Sequence, residues 1–272
     1  MAKLQVLIAA YGPDALKRIA DLRHPKVEDV EYLVSWQRHD DAPIPEEIAS
    51  RDDFTVLRSS SVGLCNNRNH LLLNASADLL LISDDDIEYS TDDLTAVVQA
   101  FDTHPEAHFL SFKFRSECAS KFYPDFIYSL SKAPKGTYVT SFELAFNRKK
   151  LLQDGTWPLL KFDPAFGING TRFIAGEEDI LVDSLLRNGL SGLFIPQYVC
   201  THNHPTTAQR MDDPVRLTET KGAVMWHVKR RTRHLRMLAH AWRERKGLLG
   251  FFGFCRAWLR GERFERNALR NQ

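Results

Sequence analysis

One nine-residue stretch, DLLLISDDD at 78–86, restricts the fold more than any other feature of the sequence. A short continuous apolar run with no helical period reads as a strand buried on both faces, the kind found in parallel sheets with helices on either side. It runs straight into three adjacent aspartates. Three similar runs precede it: KLQVLIAA (3–10), closed by Tyr-Gly-Pro, VEYLVSWQ (30–37) and FTVLRS (54–59). Between them lie helical patterns, PDALKRIADLRH with Pro13 at its start and VGLCNNRNHLLLNASA. Strands alternating with helices predict an α/β, doubly wound, mostly parallel sheet. Ligands of such sheets bind beyond the carboxyl ends of the strands, where Asp84, Asp85 and Asp86 fall.

Further along, TDDLTAVVQAFDTHP (91–105) predicts a helix capped by Thr91. HFLSFKFRS and KGTYVTSFELAFNRKKLL are strand-like. GEEDILVDSLLRNGL (176–190) predicts a helix with acids in its first turn and Gly189 near its end, as the helix dipole favours. LFIPQYVCTHNHP is a strand running into a histidine-bearing loop, and amphipathic basic helix follows. With no internal repeat and no low-complexity linker, the expected layout is one α/β domain over 1–220 and a basic helical tail over 221–272.

Charge separates those two parts. The formal net charge is +1, yet residues 221–272 carry 14 Lys and Arg against 3 Glu, and the rest of the chain carries 22 basic against 32 acidic residues. A basic end on an acidic body suits an anionic surface, membrane or nucleic acid. Cys65, Cys118, Cys200 and Cys255 are scattered, which predicts reduced thiols and a cytosolic setting. The apolar run near the start is shorter than a secretory signal requires, and no window approaches the ~18 apolar residues of a membrane span.

Three groups carry the chemistry. The Asp triplet needs a cation or donors to offset its own repulsion. A hard divalent ion held there would bridge carboxylate to phosphate oxygens, while the bland alternative is a solvated turn. The acids of GEED at 176–179 either complement a helix dipole or supply a carboxylate for general-base work, roughly 90 residues from the triplet. His202 and His204 in THNHPTT could bind metal or phosphate, or hydrogen-bond their own loop. Thr206, Thr207 and Arg210 add phosphate donors.

Taken in order, these segments resemble family 2 of the inverting glycosyltransferases, which share the fold called GT-A. VLIAAYG is similar to the family's opening strand and SVGLCNNRNHLL to its Gly-then-Ala-Arg-Asn signature, through Gly63, Arg68 and Asn69. LLLISDDDIEY resembles the strand ending in Asp-x-Asp, and FDPAFGING with GEED resembles the acceptor loop and the Glu-Asp motif. The order holds from residue 4 to about 205.

The resemblance implies a nucleotide-binding half over about 1–95 and an acceptor half over about 96–220. It implies donor contacts from Ala9, Tyr11, Arg68, Asp84 and Asp85, and a Mn or Mg ion on Asp86 with His204 completing its shell. Asp179 would be the base, with Glu178 the alternative. Trp157, Asp163 and Glu177 would stand on the acceptor side. Asp40 or Asp41 would pair with the donor base, and Arg68 and Arg210 would support the diphosphate.

The implied reaction moves a sugar from a nucleotide donor, UDP-linked, onto a glycan or lipid-linked hydroxyl in polysaccharide or lipopolysaccharide synthesis. The enzyme would be cytoplasmic and peripheral on the inner face of the cell membrane, because 226–246 and GLLGFFGFCRAWL have the make-up of interfacial helices. Two rivals fit less of the sequence. A nucleotidyltransferase wants a Gly-rich basic loop where AAYGPDA stands. A nucleic-acid-binding protein accounts for the tail and leaves the ordered carboxylates without a purpose, so no nucleic acid is expected as a partner.

Overall fold

The computed structural model describes residues 3–118, 120–204 and 213–270, with the side chains of 269 and 270 left aside. The chain falls into two compact units. The first is Met1–Val62, Asn66–Lys161 and Ser184–Pro205, and the second is Gly63–Cys65, Phe162–Asp183 and Thr206–Gln272. Thr206, Thr207 and Arg210, singled out as phosphate donors, lie outside the described residues.

The first unit is built on a mostly parallel sheet. Its strands are β1 (Leu4–Tyr11), β2 (Val30–Gln37), β3 (Phe54–Ser59), β4 (Leu79–Asp84), β5 (Phe109–Arg115), β6 (Tyr128–Ser129), β7 (Leu144–Asn147) and β8 (Gly192–Thr201), in the order β3-β2-β1-β4-β7-β5-β8-β6. β3, β2, β1 and β4 run parallel, as do β5 and β8. β7 is antiparallel to both β4 and β5, and β6 to β8. The first four strands match the apolar runs of the sequence; β1, β2 and β4 are buried on both faces, and β3, at the edge of the sheet, is half-buried. In register, Ala9 faces Ser35 on one side and Asp84 on the other, so Tyr11, Gln37 and Asp84 share the carboxyl edge.

Helices α1 (Ala15–Asp21), α2 (Glu46–Ala49), α3 (Leu64–Asn74), α4 (Thr91–Thr103) and α5 (Arg148–Gln153) connect these strands. Pro13 stands outside α1, whose N-cap is Asp14. The cap of α4 is Ser90, one residue before the expected Thr91. Ser90 accepts from the Asp93 amide while the Asp93 carboxylate accepts from the Ser90 amide, a reciprocal box that Thr91 could not close.

The segment around 135–152 departs further from its strand-like pattern. Only β7 is extended there. Ser141–Glu143 forms a tight 3-10 turn and α5 follows directly. The cause is Glu143, a fully buried carboxylate that accepts from the Lys121 ammonium, the Tyr123 hydroxyl, and both the amide and hydroxyl of Thr140. A buried carboxylate with four donors fixes the backbone more firmly than strand propensity does. In β8 the pairing with β5 slips around Pro196, which has no N–H to donate.

The second unit holds the first part of α6 (Glu177–Arg187), up to Asp183, then α7 (Pro214–Val228), α8 (Arg233–Arg243) and α9 (Gly250–Arg270). The expected basic helix over 226–246 is thus two helices, broken between Val228 and Arg233. α7 and α9 pack closely because Gly222 lies against the Trp258 carbonyl and Gly261 against the Glu219 carbonyl. A Cβ at either would sit inside 2.2 Å of that oxygen. Phe166, Phe173, Ile180, Ala223 and Val224 form one apolar cluster, and Met237, Ala241, Phe254 and Trp258 another. Cys65, Cys118, Cys200 and Cys255 are all free thiols. Among the described residues, no helix is long and apolar enough to cross a membrane.

Candidate active site

The carboxyl edge of β4 gathers the Asp triplet, and tertiary contacts give each aspartate a different partner. Asp84 Oδ1 accepts from Arg68 Nη2 at 2.9 Å, and the same guanidinium reaches Ser141 Oγ at 2.5 Å. Arg68 arrives from α3 and is only 1% exposed. It therefore positions Asp84 and has almost no surface for the diphosphate contact expected of it.

Asp85 Oδ2 accepts from the Tyr11 amide at 3.2 Å and from Arg18 Nη2 at 2.6 Å. Burial pushes its carboxyl up to about 6, against the opposing pull of Arg18 and the Tyr11 amide. Asp85 thus ties the end of β1 to β4 and α1. Arg18 was invisible from the sequence, where it reads as one polar position of an amphipathic helix.

Asp86 faces a histidine. His202 Nε2 stands 3.4 Å from Asp86 Oδ2. Glu88 and Thr201 exchange backbone hydrogen bonds of 3.0 and 2.9 Å, which carry the end of β8 alongside the segment after the triplet. The His202 amide donates to the Arg115 carbonyl, and its ring is buried against Phe114 and Phe142. The expectation from sequence was His204. That residue is exposed, with its ring centroid 6.1 Å from that of His202, because the chain leaves the sheet after His202.

Among the described residues, no group of three or more His, Cys, Asp and Glu side chains is placed to hold a metal by itself. The donor set still fits a divalent ion whose shell is completed by substrate. Asp86 supplies a hard oxygen and His202 a nitrogen, while Arg68 and Arg18 offset the charge of Asp84 and Asp85.

The donor-side residues also take defined places. Ala9 is buried, so it offers backbone only, whereas Tyr11 is exposed. The turn after β2 puts Asp40 and Asp41 in the left-handed region, both exposed. Trp36 Nε1 donates to the Gly12 carbonyl at 2.7 Å, and Arg58 lies over the Trp36 ring while bonding the Ala42 carbonyl. These bonds fix the β1 and β2 ends that bracket the carboxyl edge.

Trp157, expected on the acceptor side, has its ring against the Arg148 guanidinium, whose Nη1 donates to the Ser76 carbonyl, and Asn147 pairs with Leu79 at the start of β4.

In the second unit, α6 opens with three acids of graded exposure. Glu177 is buried, Glu178 half-buried and Asp179 exposed. The acids suit the positive end of the helix. Gly176, at φ +92°, turns the chain into the helix where a Cβ would strike Val224. Gly167, at φ +87°, sits against the Glu177 carboxyl and Cys65 Sγ. Glu177 is therefore packed under the FDPAFGING loop, with its carboxyl against backbone. Asp163 caps its own turn, accepting from the Ala165 amide at 2.9 Å. Of the acids expected on the acceptor side, Asp179 has the most open position.

The sequence model of Glycosyl transferase family 2 matches residues 37–158, a span that holds α3 with Arg68 and the Asp triplet. That span, a little under half of the chain, is similar to glycosyl transferase family 2. Solved structures of S. aureus TarS share the fold of this chain. TarS 1-349 in complex with UDP-GlcNAc is 15% identical with a TM-score of 0.57, covering 83% of this chain and 66% of that one. A second crystal structure of TarS, 15% identical with a TM-score of 0.55, covers 82% of this chain and 39% of that one. A third, TarS 1-349, is 14% identical with a TM-score of 0.57 and covers 98% and 92%. This chain thus spans 66% and 39% of the length of the first two. No curated protein matches it in sequence.

Proposed function

We propose that this family 2 glycosyltransferase takes its sugar from a nucleotide-sugar donor, UDP-linked, and delivers it with inversion to a hydroxyl of a glycan or lipid-linked acceptor. The observation that carries this reading is the pairing of Asp86 with His202 at the carboxyl edge of β4, beside two aspartates already matched to arginines. TarS, whose fold is similar, has been crystallised with UDP-GlcNAc and with UDP, which supports the choice of donor.

Asp86 and His202 would hold Mn or Mg, and His204, on the same loop, would complete the shell. The ion would neutralise charge developing on the departing diphosphate. Asp84, held by Arg68, would face the ribose. Tyr11, whose amide is anchored by Asp85, would border the base together with Asp40 or Asp41. Asp179 would take the acceptor proton, a task for a carboxylate that solvent can reach, with Glu178 the alternative. Alignment of the two substrates would supply several kcal/mol of barrier lowering. The products suit surface polysaccharide or lipopolysaccharide synthesis, on the cytoplasmic side of the cell membrane.

Calorimetric titration with UDP, GDP and CDP, each with and without Mn, tests the reading beside Asp86→Ala. Metal-dependent binding of one nucleotide, lost in the variant, supports it. The absence of any nucleotide binding under any metal would overturn it.

A further inference from the structure

Helix α8 has two apolar faces and uses one of them. Met237 and Ala241 point into the second unit, where they pack against Phe254 and Trp258 of α9. Leu235, Leu238 and Trp242 recur at helical spacing on the other side and lie in the open, with Leu235 71% and Trp242 62% exposed. The turn after α8 continues the pattern. Leu248 is 92% exposed, and Phe252, in the first turn of α9, is 85% exposed. Amphipathic helices of soluble domains ordinarily carry one apolar stripe, turned inward. A second stripe of large side chains in the open marks a contact surface.

The charges around this stripe define what it would meet. Between Lys229 and Lys246 the chain carries eight Lys and Arg residues and one Glu, Glu244. Arg233 is turned inward onto Glu262. Lys229, Arg230, Arg231, Arg236, Arg243, Arg245 and Lys246 are exposed. Arg245 lies over the Trp242 ring, 4.4 Å from its centroid, and donates to the Trp242 carbonyl. A tryptophan with cations beside it and leucines along its helix is the chemistry of the zone between lipid headgroups and acyl chains. The core of a protein interface is by contrast depleted of charge. A nucleic-acid backbone would be met by the cations alone and would leave Leu235, Leu238 and Leu248 in water.

We propose that the outer face of α8 and the turn that follows it form a membrane-docking surface. Leu235, Leu238, Trp242, Leu248 and Phe252 enter the interfacial layer of a bilayer, and the surrounding Lys and Arg residues meet anionic lipid headgroups. The surface chemistry stands apart from the transfer reaction, so either reading can fail without the other.

The test is flotation of the full chain with vesicles of phosphatidylcholine, alone or mixed with phosphatidylglycerol. Three proteins are compared: wild type, Leu235→Ser/Leu238→Ser/Trp242→Ser, and Arg231→Glu/Arg236→Glu/Arg243→Glu. All these side chains are exposed, and circular dichroism with nucleotide binding reports whether each variant remains folded. Wild type is expected to float with the mixed vesicles and at least about tenfold less with phosphatidylcholine alone. Each variant should lose about tenfold or more of the mixed-vesicle binding. Wild type that fails to float, or variants that float equally well, overturn the proposal. So does sedimentation velocity showing a wild-type dimer that the serine variant abolishes while vesicle binding is absent, which would make the stripe an interface between copies. Retention of a DNA duplex at physiological salt without vesicle binding would overturn it as well.

Discussion

Two runs of three acids, Asp84–Asp86 and Glu177–Asp179, look alike in the sequence and are built in opposite ways. The first ends a strand, and its three carboxylates are sorted by partners from elsewhere: Arg68 of α3, Arg18 of α1 with the Tyr11 amide, and His202 beyond β8. The second begins a helix, and its acids differ in burial, from Glu177 beneath the loop to Asp179 in the open. A strand end places adjacent side chains on opposite faces, so tertiary contacts must define each one. A helix start distributes them around one turn, so each meets a different degree of burial.

That contrast predicts how each run breaks. Asp86→Ala should have the largest effect, removing metal-dependent nucleotide binding and lowering transfer by roughly 10⁴-fold, since ion and diphosphate are lost together. Calorimetry and a transfer assay measure the two losses, and addition of a chelator to wild type should reproduce both. Asp179→Asn should lower kcat by about 10³-fold while leaving nucleotide affinity within twofold. A loss of donor affinity in that variant would break the comparison, and an equal loss of turnover in Glu178→Gln alone would move the base to Glu178.

Smaller effects test the sorting inside the triplet. The native Asp85 carboxyl titrates at about 6 against a reference of 3.8. Between these values the folded chain binds more protons than the unfolded one, so this group's contribution to stability is complete below about 4 and declines as pH rises to about 6. The decline amounts to about 3 kcal/mol. Asp85→Asn should remove that slope, seen as the difference between wild-type and variant urea midpoints from pH 4 to 7. Arg68→Met should cost about 2 kcal/mol, less than a fully buried pair because Asp84 is partly open to water. A smaller change at constant m-value would show that Ser141 and water can hold Asp84 without the guanidinium.

Much of the fold was legible because its cause is local. The apolar runs of β1, β2 and β4 are buried on both faces and stop at polar residues, and both facts are written in the sequence. The order of the site's elements was legible for the same reason. That His202 stands beside Asp86 was not, since it depends on where β8 releases the chain and on the Glu88–Thr201 bridge. The contact of the Trp157 ring with Arg148, beside the pairing of Asn147 with Leu79, was not legible, since it depends on the return path of β7. The turn at Ser141–Glu143 was hidden because its cause, the buried Glu143, gathers donors from residues twenty positions away.

By itself the sequence determined the α/β class, the parallel strands of the first half, the carboxylates at their edge and the basic character of the C-terminal helices. Those properties follow from apolar periodicity and charge, which act over a few residues. Only the tertiary structure decided which cation neutralises which aspartate, which histidine stands beside Asp86, and which side of α8 is left in the open. These depend on contacts between segments far apart in the chain, and local propensity does not encode them.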